Sequence, residues 1–176
     1  ALAADIATTS IAMWYYGDQA LAMFLVYVWV TLANGFGGSG EWLSFAAVTA
    51  DVLWRVRASD LLDERLSTAD LLARVERFAP KTMSDGLSSD SAGKGYLTDP
   101  EHSAVVRLAP DRTLTTLVRD EHLRWPDGLS FGPDGWLYVT CSALHQVIGY
   151  MPSEARAQAP FQVFRFRPGA EAPPGH

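Results

Sequence analysis

Three acidic residues, Glu41, Asp85 and Asp127, stand 44 and 42 residues apart, and each opens a short apolar run. Carboxylates that recur in phase with a structural repeat converge when the repeats are arranged around an axis. A converging set suits either a hard cation or the polar groups of a small ligand. Asp85 and Asp127 share the local sequence Asp-Gly-Leu-Ser and are the candidate metal ligands, with Ca2+ or another divalent cation as the ion. A competing reading gives each carboxylate to its own turn, where it accepts backbone N–H groups. Trp125, two residues before Asp127, is either a pocket wall beside that carboxylate or a core tryptophan.

A second group lies further along each repeat. Thr98-Asp99-Pro100-Glu101-His102 closes one strand-like run, and His145 follows the matching run Tyr138 to Thr140. The spacing puts His102 and His145 on one face, where imidazoles would bind a ligand or exchange protons near neutral pH. Solvated loop histidines are the alternative. The ligand-binding candidates are therefore Glu41, Asp85, Asp127, Trp125, His102 and His145. Cys141 replaces Asp99 in the repeat and reads as a small half-buried residue, since His145 is the only base near it in sequence. No Walker loop, GxGxxG, HExxH or GxSxG pattern occurs, which removes support for nucleotide-dependent, zincin and α/β-hydrolase chemistry.

These residues need a scaffold that repeats, and the sequence supplies one. Residues 85–99 align with residues 127–141 without a gap, and seven of the 15 positions are identical. A weaker copy starts at Glu41-Trp42-Leu43-Ser44-Phe45. A period in the low forties with several short strands per unit predicts β-propeller blades, each too thin to bury both faces alone. At that period 176 residues hold three to four blades, a partial propeller. The chain starts at Ala1 rather than Met, which suggests a piece of something longer.

Texture divides the chain into three parts: an apolar segment 1–38, blades over 39–167, and a loose Pro/Gly-rich tail 168–176. Phe24 to Thr31 is rich in β-branched and aromatic residues and reads as a strand. The apolar run Ala20 to Ala33 is too short to span a bilayer as a helix; it reads as buried core, with a shortened membrane anchor as the second option. Ser67-Thr68-Ala69-Asp70 is a capping-box pattern, and Leu71, Leu72, Val75 and Phe78 continue it as a helix up to Pro80. Strands are predicted at Gly95–Thr98, Ser103–Leu108 and Thr113–Val118.

Composition narrows the partners. Lys plus Arg number 14 against 20 Asp plus Glu, for a net charge of −6, and no Lys or Arg precedes Arg55. An acidic chain without a basic cluster argues against nucleic acid. One cysteine excludes an intrachain disulfide and a CxxC metal site. The expected partner is a small molecule, with no stable membrane insertion.

From Gly40 to Arg165 the sequence resembles the bacterial branch of the major royal jelly protein/yellow family. The resemblance rests on Leu53-Trp54-Arg55-Val56, Lys81-Thr82-Met83-Ser84-Asp85-Gly86-Leu87, Leu123-Arg124-Trp125-Pro126-Asp127-Gly128 and Pro160-Phe161-Gln162-Val163-Phe164-Arg165. It implies a six-bladed, secreted or periplasmic propeller that binds a small aromatic or amine-like ligand at its axial face, related to dopachrome tautomerase. The Asp-Gly repeats also resemble the gluconolactonase propellers, which implies the alternative function: a lactone hydrolase dependent on a divalent metal.

Overall fold

The computed structural model describes residues 28–31 and 41–173. The apolar segment 1–38 lies outside these residues except for 28–31. The described chain forms three antiparallel sheets. The first holds β1 (Val28–Thr31), β2 (Trp42–Ala47), β3 (Val52–Arg57) and β4 (Glu76–Pro80), paired in that order. The second is β5 (Leu87–Ser89), β6 (Gly95–Asp99), β7 (Ala104–Leu108) and β8 (Leu114–Arg119). The third is β9 (Pro126–Phe131), β10 (Leu137–Cys141) and β11 (Gln162–Phe166), with β10 in the middle. This is the expected all-β partial propeller. Among the described residues it carries four short α-helices rather than one: α1 (Ala58–Leu61), α2 (Thr68–Ala73), α3 (Leu144–Val147) and α4 (Pro152–Ala157).

Side-chain alternation makes the sheets stack. Successive strand residues point to opposite faces, and β6 is buried along its whole length. Its Leu97 packs with Val106 and Leu108 against Leu53, Phe78 and Ala79 of the first sheet. Its neighbour Tyr96 points the other way, to Phe131 and Leu137 of the third sheet. The Tyr96 and Phe131 rings meet edge to face at 5.2 Å, and the Tyr96 hydroxyl donates to the buried Asp90 carboxylate at 2.8 Å. Val105, Leu123, Val139 and Cys141 complete the contact between second and third sheets. Each fully buried Leu or Val contributes about 1.5–3 kcal/mol of transfer free energy, so the two interfaces dominate the cohesion of the stack.

One local expectation is corrected. The capping box at Ser67 is real: the Ser67 hydroxyl accepts the Asp70 N–H, and the Asp70 carboxylate accepts the Ser67 N–H. The helix stops at Ala73, however, and Glu76–Pro80 is a strand. Pairing with β3 and burial of Phe78 and Ala79 against Leu53 outweigh the helical spacing of Val75 and Phe78. Residues 168–173 run past the second and third sheets. Ala170 and Ala172 pack beside Tyr96 and Phe131, and Ser91 N–H donates to the Glu171 carbonyl at 3.0 Å.

Candidate functional site at the meeting of two first strands

The second and third sheets begin side by side. Asp85 leads into β5, Asp127 lies in β9, and the glycine after Asp85 makes the approach possible. A β-carbon on Gly86 would stand 2.5 Å from the Asp127 carbonyl oxygen and 3.1 Å from the Thr98 methyl. Thr98, buried in β6, holds the turn from the other side: its hydroxyl oxygen accepts the N–H groups of Asp85 (3.0 Å) and Gly86 (2.8 Å). The equivalent Thr140 of β10 reverses the role and donates to the Asp127 carboxylate at 2.7 Å.

Trp125 completes the centre. Its indole N–H donates to the Asp85 carboxylate at 2.8 Å across the two sheets, and its ring stacks on His145 with centroids 5.9 Å apart. Its backbone is left-handed, at φ 51°, a conformation that costs a bulky residue about 1–3 kcal/mol. The neighbouring chain holds it there: the Trp125 carbonyl accepts Ser142 N–H, and the Arg124 carbonyl accepts Ala143 N–H. The Arg124 guanidinium pins the same β10–β11 loop through the Gln146 side chain and the carbonyls of Gln158 and Pro160. His145 sits on α3 within that loop.

His102 occupies the β6–β7 loop, at the same end of the second sheet as Asp85. Its Nδ1 lies 3.0 Å from both oxygens of Asp99. The Asp99 side chain is 5% exposed and that of His102 57%. A buried carboxylate facing Nδ1 favours the tautomer with the proton there, which leaves Nε2 as the free acceptor. The structure thus joins Asp85, Trp125 and His145 directly. Asp127 stands beside them, and His102, paired to Asp99, occupies the matching loop of the neighbouring sheet.

Glu41 does not join this group. The third copy of the repeat is out of phase by one strand: Glu41 precedes β2, the second strand of its sheet, whereas Asp85 precedes a first strand. Glu41 is exposed, forms an ion pair with Arg57 and accepts the Ala58 N–H. The other end of β2, where Val48 accepts from Ser84 and Lys81, is about 20 Å away at 3.3 Å per residue.

A metal centre needs more donors than are present. Among the described residues no three His, Cys, Asp or Glu side chains converge, and Asp85 and Asp127 already accept from Trp125 and Thr140. Two carboxylates fall short of the six to eight oxygens that Ca2+ takes, so these residues alone do not fit a divalent ion. A cavity of about 10 Å3 between Lys81, Ser84, Asp85 and Gly86 is at the lower limit for one water. Cys141 is buried, and burial followed by the Asp127 charge pushes its thiol up to about 11. Among the described residues no helix is long and apolar enough to cross a membrane.

Sequence reasoning missed Thr98 and Arg124. Thr98 was visible as an identity between the repeats; Arg124 carries no such signal, because its partners lie 22 to 36 residues away.

Comparison with known proteins places the fold. No family model matches the chain, and no curated protein does. Solved structures do. A gluconolactonase from Xanthomonas campestris superposes with a TM-score of 0.51 at 15% identity, covering 74% of this chain and 41% of its own. A regucalcin from Agrobacterium tumefaciens, described as a calcium-binding protein, gives 0.50 at 23%, covering 78% and 45%. A luciferin-regenerating enzyme gives 0.52 at 14%, covering 81% and 47%. The chain spans less than half the length of each. These neighbours correct the expected kinship: the propellers it resembles are of the gluconolactonase and regucalcin type, not the major royal jelly protein/yellow type. The secreted location implied by that kinship loses its ground with it.

Proposed function

We propose that the chain forms the substrate-binding part of a lactonase-type propeller hydrolase acting on a small polar cyclic ester. One observation carries the reading: Asp85 and Asp127 enter neighbouring first strands at one end of the stack, and Asp85 is joined there to Trp125 and His145. Carboxylates accept the hydroxyl groups of a polyol ring, and an indole face covers its C–H surface. The likeness to a gluconolactonase supports the substrate class.

The chemistry asks for one base. His102, oriented by Asp99, takes a proton from water through Nε2 as the water oxygen bonds to the acyl carbon. The bond from the acyl carbon to the ring oxygen then breaks. The imidazolium returns the proton to the departing ring oxygen, which leaves as a hydroxyl group of the open acid. No step here runs through a metal. The calcium-binding description of the regucalcin raises a divalent ion for this site too, and such an ion would draw ligands from beyond the described residues.

The test is hydrolysis of glucono-1,5-lactone by the purified chain in a pH-stat, corrected for the spontaneous rate, with Ca2+ and with chelator. The expected result is a catalysed rate that Asp85→Asn and His102→Gln each lower at least about tenfold. A parent rate equal to buffer, or one that neither variant changes, would sink the proposal. A rate that vanishes only with chelator would bring the ion into the mechanism.

A further inference from the structure

The segment that carries the chain from the first sheet to the second, residues 81–86, is fastened to the turn between β2 and β3, residues 48–51. Lys81 makes most of the attachment. Its backbone N–H donates to the Asp51 carbonyl at 2.9 Å. Its side chain is buried, and its ammonium donates to the carbonyls of Val48 at 3.1 Å and Thr82 at 3.0 Å. The Val48 carbonyl also accepts the Ser84 N–H at 3.1 Å, so one oxygen of the first sheet holds the segment at two points. Ser84 passes the constraint on. Its hydroxyl donates to the Gly86 carbonyl at 2.9 Å, and that carbonyl accepts the Thr98 N–H at 3.0 Å. Asp85 lies between these two anchored residues, and Lys81, Ser84, Asp85 and Gly86 line one small cavity.

Stability does not explain the ammonium. Both of its acceptors are neutral carbonyls, and burial outweighs the Asp51 charge, so the lysine is lowered to about 8. At neutral pH the folded chain therefore holds the charged form at a cost in stability. An unbranched apolar side chain such as methionine would fill the same space without that cost. What the amine adds is directed donors, and two of them tie the connecting segment to itself and to the neighbouring sheet. A buried polar group kept against stability marks a place where geometry matters.

We propose that Lys81 is a positioning residue of the candidate site: it fixes residues 81–86 so that the Asp85 carboxylate meets the Trp125 indole N–H and, with it, the hydroxyl groups of the substrate. The inference rests on the lactonase reading for its substrate and on the hydrogen bonds above for its geometry. Asp85 reaches the third sheet through Trp125 at 2.8 Å, while its own segment is referenced to the first. Lys81 thus lets all three sheets set one contact, and it acts on the substrate through Asp85 without touching it. A displaced carboxylate weakens the ground state and the transition state alike, which raises KM and spares kcat.

The test uses the 176-residue protein with Lys81→Met, Asp85→Asn and the double variant. In heteronuclear NMR the indole N–H of Trp125, assigned with Trp125→Phe, reports the bond to Asp85 with no substrate present. Asp85→Asn should move that resonance upfield, and Lys81→Met should move it in the same direction. In hydrolysis of glucono-1,5-lactone, Lys81→Met should raise KM about tenfold and leave kcat within about twofold. The double variant should be no worse than Asp85→Asn, since Lys81 acts through that carboxylate. An indole resonance that Lys81→Met leaves in place would overturn the proposal. So would losses that multiply in the double variant, or a Lys81→Met chain that does not fold, because the amine would then be a structural element. Should the parent not hydrolyse the lactone, the substrate reading falls alone, and the resonance still decides whether Lys81 positions Asp85.

Discussion

The same substitution at two equivalent positions should have very different costs. Thr98→Val and Thr140→Val each exchange a hydroxyl for a methyl of similar volume, at matched places in two repeats. At Thr98 the lost oxygen is the acceptor for two backbone N–H groups, those of Asp85 and Gly86. The Thr98 side chain is fully buried, and an unsatisfied buried donor costs about 1–3 kcal/mol. The Gly86 N–H is buried and the Asp85 N–H is partly open, so the sum should fall at about 2–4 kcal/mol. At Thr140 the hydroxyl is the donor to an Asp127 carboxylate that water can reach. The loss there should stay within about 0.5–1 kcal/mol. Urea unfolding at constant slope reads the difference: with a slope of about 2 kcal/mol/M the midpoint should fall by about 1–2 M in Thr98→Val and by less than about 0.5 M in Thr140→Val. Thr98→Ser keeps the hydroxyl and should recover most of the loss. Equal shifts for the two valine variants, or a Thr98→Val midpoint unchanged from the parent, would refute the account of how Thr98 holds the site.

Two further expectations follow from ionisation. With its thiol near 11 by burial and the Asp127 charge, Cys141 should be about one thousandth thiolate at pH 8; a disulfide-exchange reagent should label it about a hundredfold more slowly in the native protein than in denaturant. Comparable native and denatured rates would contradict the burial. Burial lowers Lys81 to about 8, with the Asp51 charge partly opposing. Between about pH 8 and 10.5 the unfolded chain then holds a proton that the folded one has lost. Stability should therefore rise with pH across that window, by at most about 3 kcal/mol. Urea midpoints at pH 7.5, 8.5 and 9.5 should climb in the parent relative to Lys81→Met; a parallel course for the two would refute it.

Much of the architecture was legible because the repeat is carried by turn chemistry and alternating burial, both local in sequence. The in-phase Asp85 and Asp127 marked the entries to the two neighbouring first strands. What escaped was whatever depends on where the chain crosses between sheets. Glu41 opened a weaker copy that shares only Leu-Ser-Phe with residues 129–131, and so short a match does not say whether a first or a second strand follows. Phe78 kept helical spacing with Leu71, Leu72 and Val75, and only the pairing of β4 with β3 turned it into a strand residue. The left-handed backbone of Trp125 has no signature in residue type, since its hydrogen bonds come from the loop after β10. The arginines that flank two tryptophan rings, Arg55 and Arg57 at Trp42 and Arg165 and Arg167 at Trp136, escaped for a similar reason: each pair is separated by one residue, so no basic run appears, and strand alternation brings them to one face.

Tyr96 and Leu97 are neighbours in the chain, yet they belong to different interfaces. The second sheet is therefore a wall between two rooms, with no side of its own that faces water along β6. Any opening of that strand uncovers both interfaces at once, whereas the outer sheets can each give way by uncovering one. The amide protons of β6 should consequently exchange with solvent only when the whole stack comes apart, and their protection would measure the stability of the complete assembly of sheets rather than of any single one.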